Sequence, residues 1–230
     1  GYGLTPEIVD LAYKKKPELI ITVDNGIASI EGVKKANSYG IDVLITDHHL
    51  PAKDLPDAKF IVNPNQVACN FPSKNLCGVG VIFYVLLSLR KELRKLNRFL
   101  NESEPILSDL LDLVALGTIA DLVKLDFNNR ILVNYGMNKI RSGNCNLGIE
   151  ALAYLSKKKL KNIKTSDLSF SIAPKINAAG RLDDMAIGIK CLIAKNKNEA
   201  ENYAKQLVVF NEQRKLVEHK MKDEALSLLS

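Results

Sequence analysis

Two short apolar runs mark the first part of the chain, and each breaks off at ionisable or turn-forming residues. Glu18-Leu19-Ile20-Ile21-Thr22-Val23 stops at Asp24-Asn25-Gly26, and Ile41-Asp42-Val43-Leu44-Ile45-Thr46 stops at Asp47-His48-His49. Continuous, β-branched apolarity over so few residues predicts strands buried in a parallel sheet. Between them, Ile30, Val33 and Ala36 recur at helical spacing within 29–38, and Gly40 follows as a stop. The pattern is a β-α-β unit with parallel strands and a right-handed crossover, so both polar clusters emerge at one sheet edge. Lys59-Phe60-Ile61-Val62 predicts a third short strand, closed by Asn63-Pro64-Asn65. Thr5-Pro6-Glu7 is a helix start, with Thr5 as cap and Pro6 at the first helical position.

Beyond residue 66 the period becomes helical. Gly78-Val79-Gly80 opens a helix carrying Phe83, Leu86 and Leu87; its glycines serve either an anion at the helix start or close packing. Arg90, Lys91, Arg94, Lys95 and Arg98 give that helix a solvated basic face. The apolar stretch 106–116 predicts a buried helix running into Gly117-Thr118-Ile119-Ala120-Asp121, and further helices are expected over 128–140 and 149–155 and after Thr165-Ser166-Asp167. In 171–181, the small residues Ala178, Ala179 and Gly180 bring backbone close to something, with Asn177 and Arg181 as polar reach; Arg suits bidentate phosphate contact. Residues 197–230 hold neither Gly nor Pro and carry a partial stripe of Ala200, Tyr203, Ala204, Leu207, Val208, Leu216 and Val217, the pattern of one long, partly exposed helix. The fold class is therefore α/β: a parallel, Rossmann-like sheet domain over 1–195, followed by a long helix over 196–230 that leads to something further.

Composition narrows the picture only modestly. With 230 residues and 47% hydrophobic content the chain can bury a real core. No apolar run approaches the ~18 residues of a membrane span, and the opening Gly1-Tyr2-Gly3-Leu4-Thr5-Pro6 has neither the basic nor the apolar region of a signal peptide. Cys69, Cys77, Cys145 and Cys191 form no CxxC pair, which fits reduced thiols in a cytoplasmic protein. The formal net charge of +6 is a mild bias toward polyanions. Lys157-Lys158-Lys159, with Lys161 and Lys164, reads either as a solubilising loop or as a surface for phosphate backbone.

The chemistry sits at the strand ends. Asp24-Asn25-Gly26 alone is an ordinary turn, and Asp47 alone is an ordinary cap. Two adjacent histidines directly after a buried strand are harder to explain structurally, because burying both without partners costs stability. Carboxylate and imidazole converging on one rim hold Mn²⁺, Mg²⁺ or Zn²⁺, and Asp121, closing a buried segment, reads either as a third inward ligand or as a helix-terminal Asp in contact with solvent.

With these residues assembled, the chain resembles the DHH phosphoesterase superfamily, most closely its RecJ branch of single-stranded-DNA exonucleases. Val23-Asp24-Asn25-Gly26 is similar to the family's second motif, Thr46-Asp47-His48-His49 to the third and Gly117-Thr118-Ile119-Ala120-Asp121 to the fourth. Lys175-Ile176-Asn177-Ala178-Ala179-Gly180-Arg181 is similar to the segment that marks the RecJ branch. The resemblance implies that Asp24 bridges two Mn²⁺ or Mg²⁺ ions, with His48 and Asp121 as ligands. It gives His49 and Asp47 the catalytic places, His49 facing the scissile phosphate and Asp47 supporting the site, and sets Asn177 and Arg181 on nucleic-acid phosphate. It further implies 5′ to 3′ digestion of single-stranded DNA in repair and recombination, in the cytoplasm, with a single-strand-binding protein and a helicase as partners. The family's first motif, Asp-x-Asp followed by glycine, does not occur in the sequence, nor does the DHH-associated domain expected after the long helix. On that reading residues 1–230 alone bind metal weakly and cut DNA negligibly. Two alternatives stand beside it: a DHH phosphodiesterase acting on oligonucleotides, cyclic dinucleotides or pyrophosphate, and a non-catalytic nucleic-acid-binding scaffold.

Overall fold

Thr5 opens the first helix as its spacing requires: its backbone is extended, its hydroxyl accepts the Ile8 N–H at 3.4 Å, and Pro6 is the first residue of α1 (Pro6–Tyr13). Strands β1 (Leu19–Val23), β2 (Asp42–Thr46) and β3 (Phe60–Val62) form a parallel sheet in the order β1-β2-β3, with α2 (Ile30–Ser38) crossing between the first two. Leu19 pairs with Asp42 and Val23 with Thr46, while Thr46 in turn pairs with Val62, so all three strands end at the same rim. The structure is a computed structural model that describes residues 3–182 and 185–227; the side chains of residues 181, 182 and 225–227 lie outside it.

The chain divides into two units, the first Gly1–Leu110 with Asp121–Leu132 and the second Leu111–Ala120 with Val133–Ser230. In the first unit Leu4, Val9, Val33, Ala36, Ile41, Val43 and Ile45 make one core. The apolar runs predict strands covered on both faces, and only the central β2 approaches that. In β1 and β3 the alternate residues Leu19, Ile21, Val23, Phe60 and Val62 stay 39–59% exposed. An outer strand feels the helix layer on one face alone, so its apolar run overstates its burial. Helix α3 (Gly78–Lys95) follows, and its basic residues are largely surface ion pairs: Arg94 and Arg90 with Glu104, and Lys95 with Glu92.

A tight 3₁₀ turn over Leu107–Leu110 replaces the expected start of the next helix, α4 (Leu111–Ala120), which is buried nearly all round, as its unbroken apolarity demands. Helix α5 spans Phe127–Arg141, and α6 (Leu147–Leu155) is capped by Asn146, whose side chain accepts the Gly148 and Ile149 N–H groups at 2.9 and 3.3 Å. The basic segment after α6 contains a short 3₁₀ helix, Leu160–Asn162. Then α7 (Thr165–Asp167), a π-helical turn (Leu168–Ile172) and α8 (Ala173–Leu182) run on without a break. Helix α9 (Ala186–Leu192) leads into α10 (Lys197–Ser227), which packs on α6, α8 and α9. Ala200, Ala204, Leu207 and Asn211 form the buried stripe of α10, whereas Leu216 and Val217 are 63% and 48% exposed. Burial pushes the Cys145 and Cys191 thiols up to about 11, so both stay protonated. Among the described residues no helix is long and apolar enough to cross a membrane.

Candidate metal centre

The rim where the strands end is built from three loops. The first follows β1: Asp24 takes a left-handed backbone, φ +61°, and its N–H still bonds the Thr46 carbonyl at 3.0 Å. A non-glycine residue tolerates this region poorly, and Asp is among the few that do so. The turn is closed by Thr22, whose hydroxyl donates to the Asn25 carbonyl at 2.7 Å, and by Gly26, where a Cβ would fall 2.5 Å from that hydroxyl.

The second loop follows β2 and is organised by Asp47, a carboxylate only 1% exposed. One oxygen accepts the Ile27 N–H at 2.9 Å; the other accepts the N–H of His48 at 2.7 Å, the N–H of His49 at 3.2 Å and the His49 ring Nδ1 at 2.7 Å. Burial alone would push this carboxyl up, but the bonds from Ile27, the His49 ring and the two histidine amides outweigh it and hold Asp47 below the usual carboxylate range. An ionised Asp47 fixes the His49 tautomer with its proton on Nδ1, leaving Nε2 available on a side chain 60% exposed.

The third loop carries Asp121. Asp126 anchors it by accepting from the Ser73 hydroxyl at 2.7 Å, the Asn75 amide at 3.0 Å and the Asn129 N–H at 2.9 Å. Asn129 returns a bond to the Asn75 carbonyl at 2.6 Å.

At the centre stands His48, its side chain 13% exposed. Its Nε2 lies 3.1 Å from Asp24 Oδ1 and 3.4 Å from Asp121 Oδ2. Both oxygens are near, yet off the direction a ring hydrogen bond requires, so Nε2 is a buried polar atom with no hydrogen-bond partner. The Asp24 carboxylate, against the opposing cost of burial and with Asp121 adding, holds the His48 imidazolium above the usual histidine range. Loss of solvent, more than repulsion from Asp24, pushes the Asp121 carboxyl up. Ligating atoms of Asp24, His48 and His49 all fall within 4.8 Å of one another; Asp121, the third residue the sequence suggests, is not in that mutual group and approaches it at His48 Nε2. Two carboxylates facing an imidazole nitrogen without a well-formed hydrogen bond among them are a donor set that a cation would satisfy when the ring is neutral, and an oxygen-rich set with imidazole fits Mn²⁺ or Mg²⁺.

Three further residues escape sequence reasoning. Asn63, 2% exposed, donates to the His49 carbonyl at 2.9 Å, and Asn65 donates to the His48 carbonyl at 2.5 Å. The turn after β3 thus clamps the backbone of both histidines. Gly78 meets Asp24: a Cβ there would lie 2.3 Å from Asp24 Oδ1. Of the alternatives open for 78–80, close packing is the one observed: Gly78 lies against Asp24, and a Cβ at Gly80 would meet Leu76 at 3.2 Å. In the second unit, Asn177 is exposed on α8, and Ala178 and Ala179 are fully buried. The backbone of Arg181 continues α8, and its side chain lies outside the described residues.

The profile of the DHH family, N-terminal domain, matches residues 4–118. The chain is 52% identical over 230 residues to the single-stranded-DNA-specific exonuclease RecJ of Escherichia coli (strain K12), covering 99% of this chain and 40% of that protein. It is 37% identical over 229 residues to the RecJ of Bacillus subtilis (strain 168), covering 100% of this chain and 27% of that protein. A crystal structure of an exonuclease RecJ bound to manganese superposes with a TM-score of 0.83 at 30% identity, covering 99% of this chain and 55% of that one. The Mn²⁺ complex of RecJ from Thermus thermophilus gives 0.81 at 30% identity, covering 96% of this chain and 32% of that one. The chain thus spans well under half the length of the curated relatives it matches.

Proposed function

The chain belongs to the DHH family, and from that premise we propose that the protein carrying it is a single-stranded-DNA-specific exonuclease, working 5′ to 3′ by metal-dependent hydrolysis. The observation that carries this reading is the convergence of Asp24 and Asp121 on His48 Nε2, a buried atom with no hydrogen-bond partner, at the carboxyl rim of parallel strands. Identity of 52% to a relative of that name supports the choice of substrate.

Asp24, His48 and Asp121 would hold the metal, Asp24 and Asp121 through carboxylate oxygens and His48 through Nε2. When bound, Mn²⁺ or Mg²⁺ supplies Lewis acidity to the scissile phosphate and acidifies the attacking water. Asp47 is a positioning residue: both its oxygens are taken by N–H donors, and it acts through the histidines it orients. His49, with Nδ1 tied to Asp47, presents Nε2 to the phosphate. Asn177 and Arg181 hold phosphates of the strand. A single-strand-binding protein and a helicase are its partners, and the cytoplasm its compartment.

The direct test is Mn²⁺-supplemented digestion of 5′-labelled single strand and duplex by the gene product that carries this chain, beside its Asp24→Ala variant. Nucleotide release from the single strand, lost in the variant, is expected. Cleavage that survives Asp24→Ala would disconnect the activity from this site.

The same site sets a pH dependence. His48 ligates only as neutral imidazole, and its raised pKa lets protons compete at higher pH than an ordinary histidine, about 6.5. Mn²⁺ affinity is therefore expected to rise with pH and level off only above that ordinary value. Titrations of Mn²⁺ from about pH 5.5 to 8.5 measure this; an affinity flat across the range would remove His48 from the ligand set.

A further inference from the structure

We propose that the lysine-rich segment after α6 and the Tyr154 ring beside it form a second contact surface for single-stranded nucleic acid, taking phosphates and a base away from the reacting nucleotide. The inference rests on the nuclease reading and adds a surface within the second unit that the reading does not contain.

Residues 157–164 place five lysines in eight positions with no acid among them. The segment is not a loose tether. Ile163 is 1% exposed and its carbonyl accepts the Arg141 Nε at 3.0 Å, while Lys158 pairs with Asp167 at 2.7 Å. Lys157, Lys159, Lys161 and Lys164 consequently stand exposed on a backbone fixed from beneath. Further cations stand on neighbouring elements: burial first, and then Lys215 of α10 and Lys158, push Lys175 down, with Glu212 opposing them.

Two grooves meet here. One of about 340 Å³ has an apolar floor that includes Leu147 and Leu160, with Tyr154 on its wall. The other, about 500 Å³ and more polar, continues from it through the shared Lys158 and Lys159. Two acids also line the first groove: Glu150, paired with Lys197 at 2.9 Å, and Glu201, set against the ammonium groups of Lys158, Lys159 and Lys197. Tyr154 is 75% exposed, although its helix buries Ile149, Ala151, Leu152 and Ala153. An exposed aromatic face beside a row of fixed cations is the combination that holds single strands: bases stack on the ring while ammonium groups track the phosphates. A duplex offers the phosphates but keeps its bases stacked inside.

The test uses the gene product carrying the chain, with fluorescence anisotropy on oligo-dT of about 30 nucleotides, long enough to cover more than one subsite, in EDTA so that nothing is cleaved. The triple variant Lys157→Ser, Lys159→Ser, Lys161→Ser is expected to weaken binding and to flatten the slope of log affinity against log salt by about 2, near 0.7 for each lost phosphate contact. Tyr154→Ala is expected to weaken binding about five-fold or more with the slope kept, and Tyr154→Phe to restore it. Triple replacement by arginine should also restore affinity. Unaltered affinity and slope in the triple serine variant would overturn the groove, and unaltered affinity in Tyr154→Ala would overturn the stacking role. Asp24-dependent cleavage alongside such null results would remove this surface alone, whereas a parent protein that binds no single strand at all would take the nuclease reading with it.

Discussion

Gly78→Ala is expected to reduce phosphodiester cleavage by about a hundredfold or more and to lower the melting temperature as well. The single added carbon would fall 2.3 Å from Asp24 Oδ1 and 2.4 Å from its Cβ and Cγ. No van der Waals contact is that short, so either the carboxylate or the start of α3 must move. Turning the carboxylate cannot clear its own Cβ, so the Asp24 loop, already in a left-handed conformation, and the start of α3 must part as backbone. Misplacement by an ångström is enough to lose two orders of magnitude when the displaced group holds the reacting centre. Overpacking of this kind costs about 1–3 kcal/mol, more than the up to about 1 kcal/mol by which alanine suits a helix better than glycine. Melting temperature, Mn²⁺ affinity and cleavage measured on one preparation decide it. A variant that keeps both affinity and rate would mean that α3 alone recoils, and that Gly78 does not set the site.

Asp47→Asn is expected to do two kinds of damage at once, a loss of about 10- to 100-fold in Mn²⁺ affinity or activity and of about 1–3 kcal/mol in stability. The substitution keeps the shape but turns an NH₂ toward a site where every neighbour is already a donor. The stability loss has a defined pH signature. Because the folded carboxyl lies below its unfolded value of about 3.9, Asp47 stabilises the protein fully above that value, and the contribution disappears as pH falls through the folded pKa. Urea unfolding of the two proteins should therefore differ most near neutrality and converge in strong acid. Curves separated equally at every pH would assign the effect to packing instead of charge.

The β-α-β unit and the strand-end cluster were legible in the sequence because short-range patterns encode them: apolar runs, a helical period between, and ionisable residues where each run stops. Burial was less legible, since Leu19, Ile21 and Val23 have the composition of an interior strand and stand on an outer one. Asn63 and Asn65 read as ordinary turn formers, and nothing local reveals that their amides reach the His49 and His48 carbonyls across 14 and 17 residues. A signal existed in topology: a third parallel strand must end on the same rim, so polar side chains just after it were candidates. Gly78 shows the harder limit, for its partner Asp24 lies 54 positions earlier and the constraint is a void, which leaves no trace in composition. The small residues at 178 and 179 do mark a close approach, within a helix packed on α10.

The π-helical turn over Leu168–Ile172 works as a phase shifter for everything that follows it in the same helical run. A π turn holds one residue more than an α turn, and each residue of an α-helix advances the azimuth by about 100°. Without that extra residue, α8 would be rotated by about that angle relative to Leu168 and Ile172, both fully buried. Ala178 and Ala179 would swing out of the interior and Asn177 toward it. The one-residue insertion therefore decides which face of the Asn177–Arg181 segment is offered to solvent, independently of the side chains within that segment. Its orientation is stored upstream, as a count of residues.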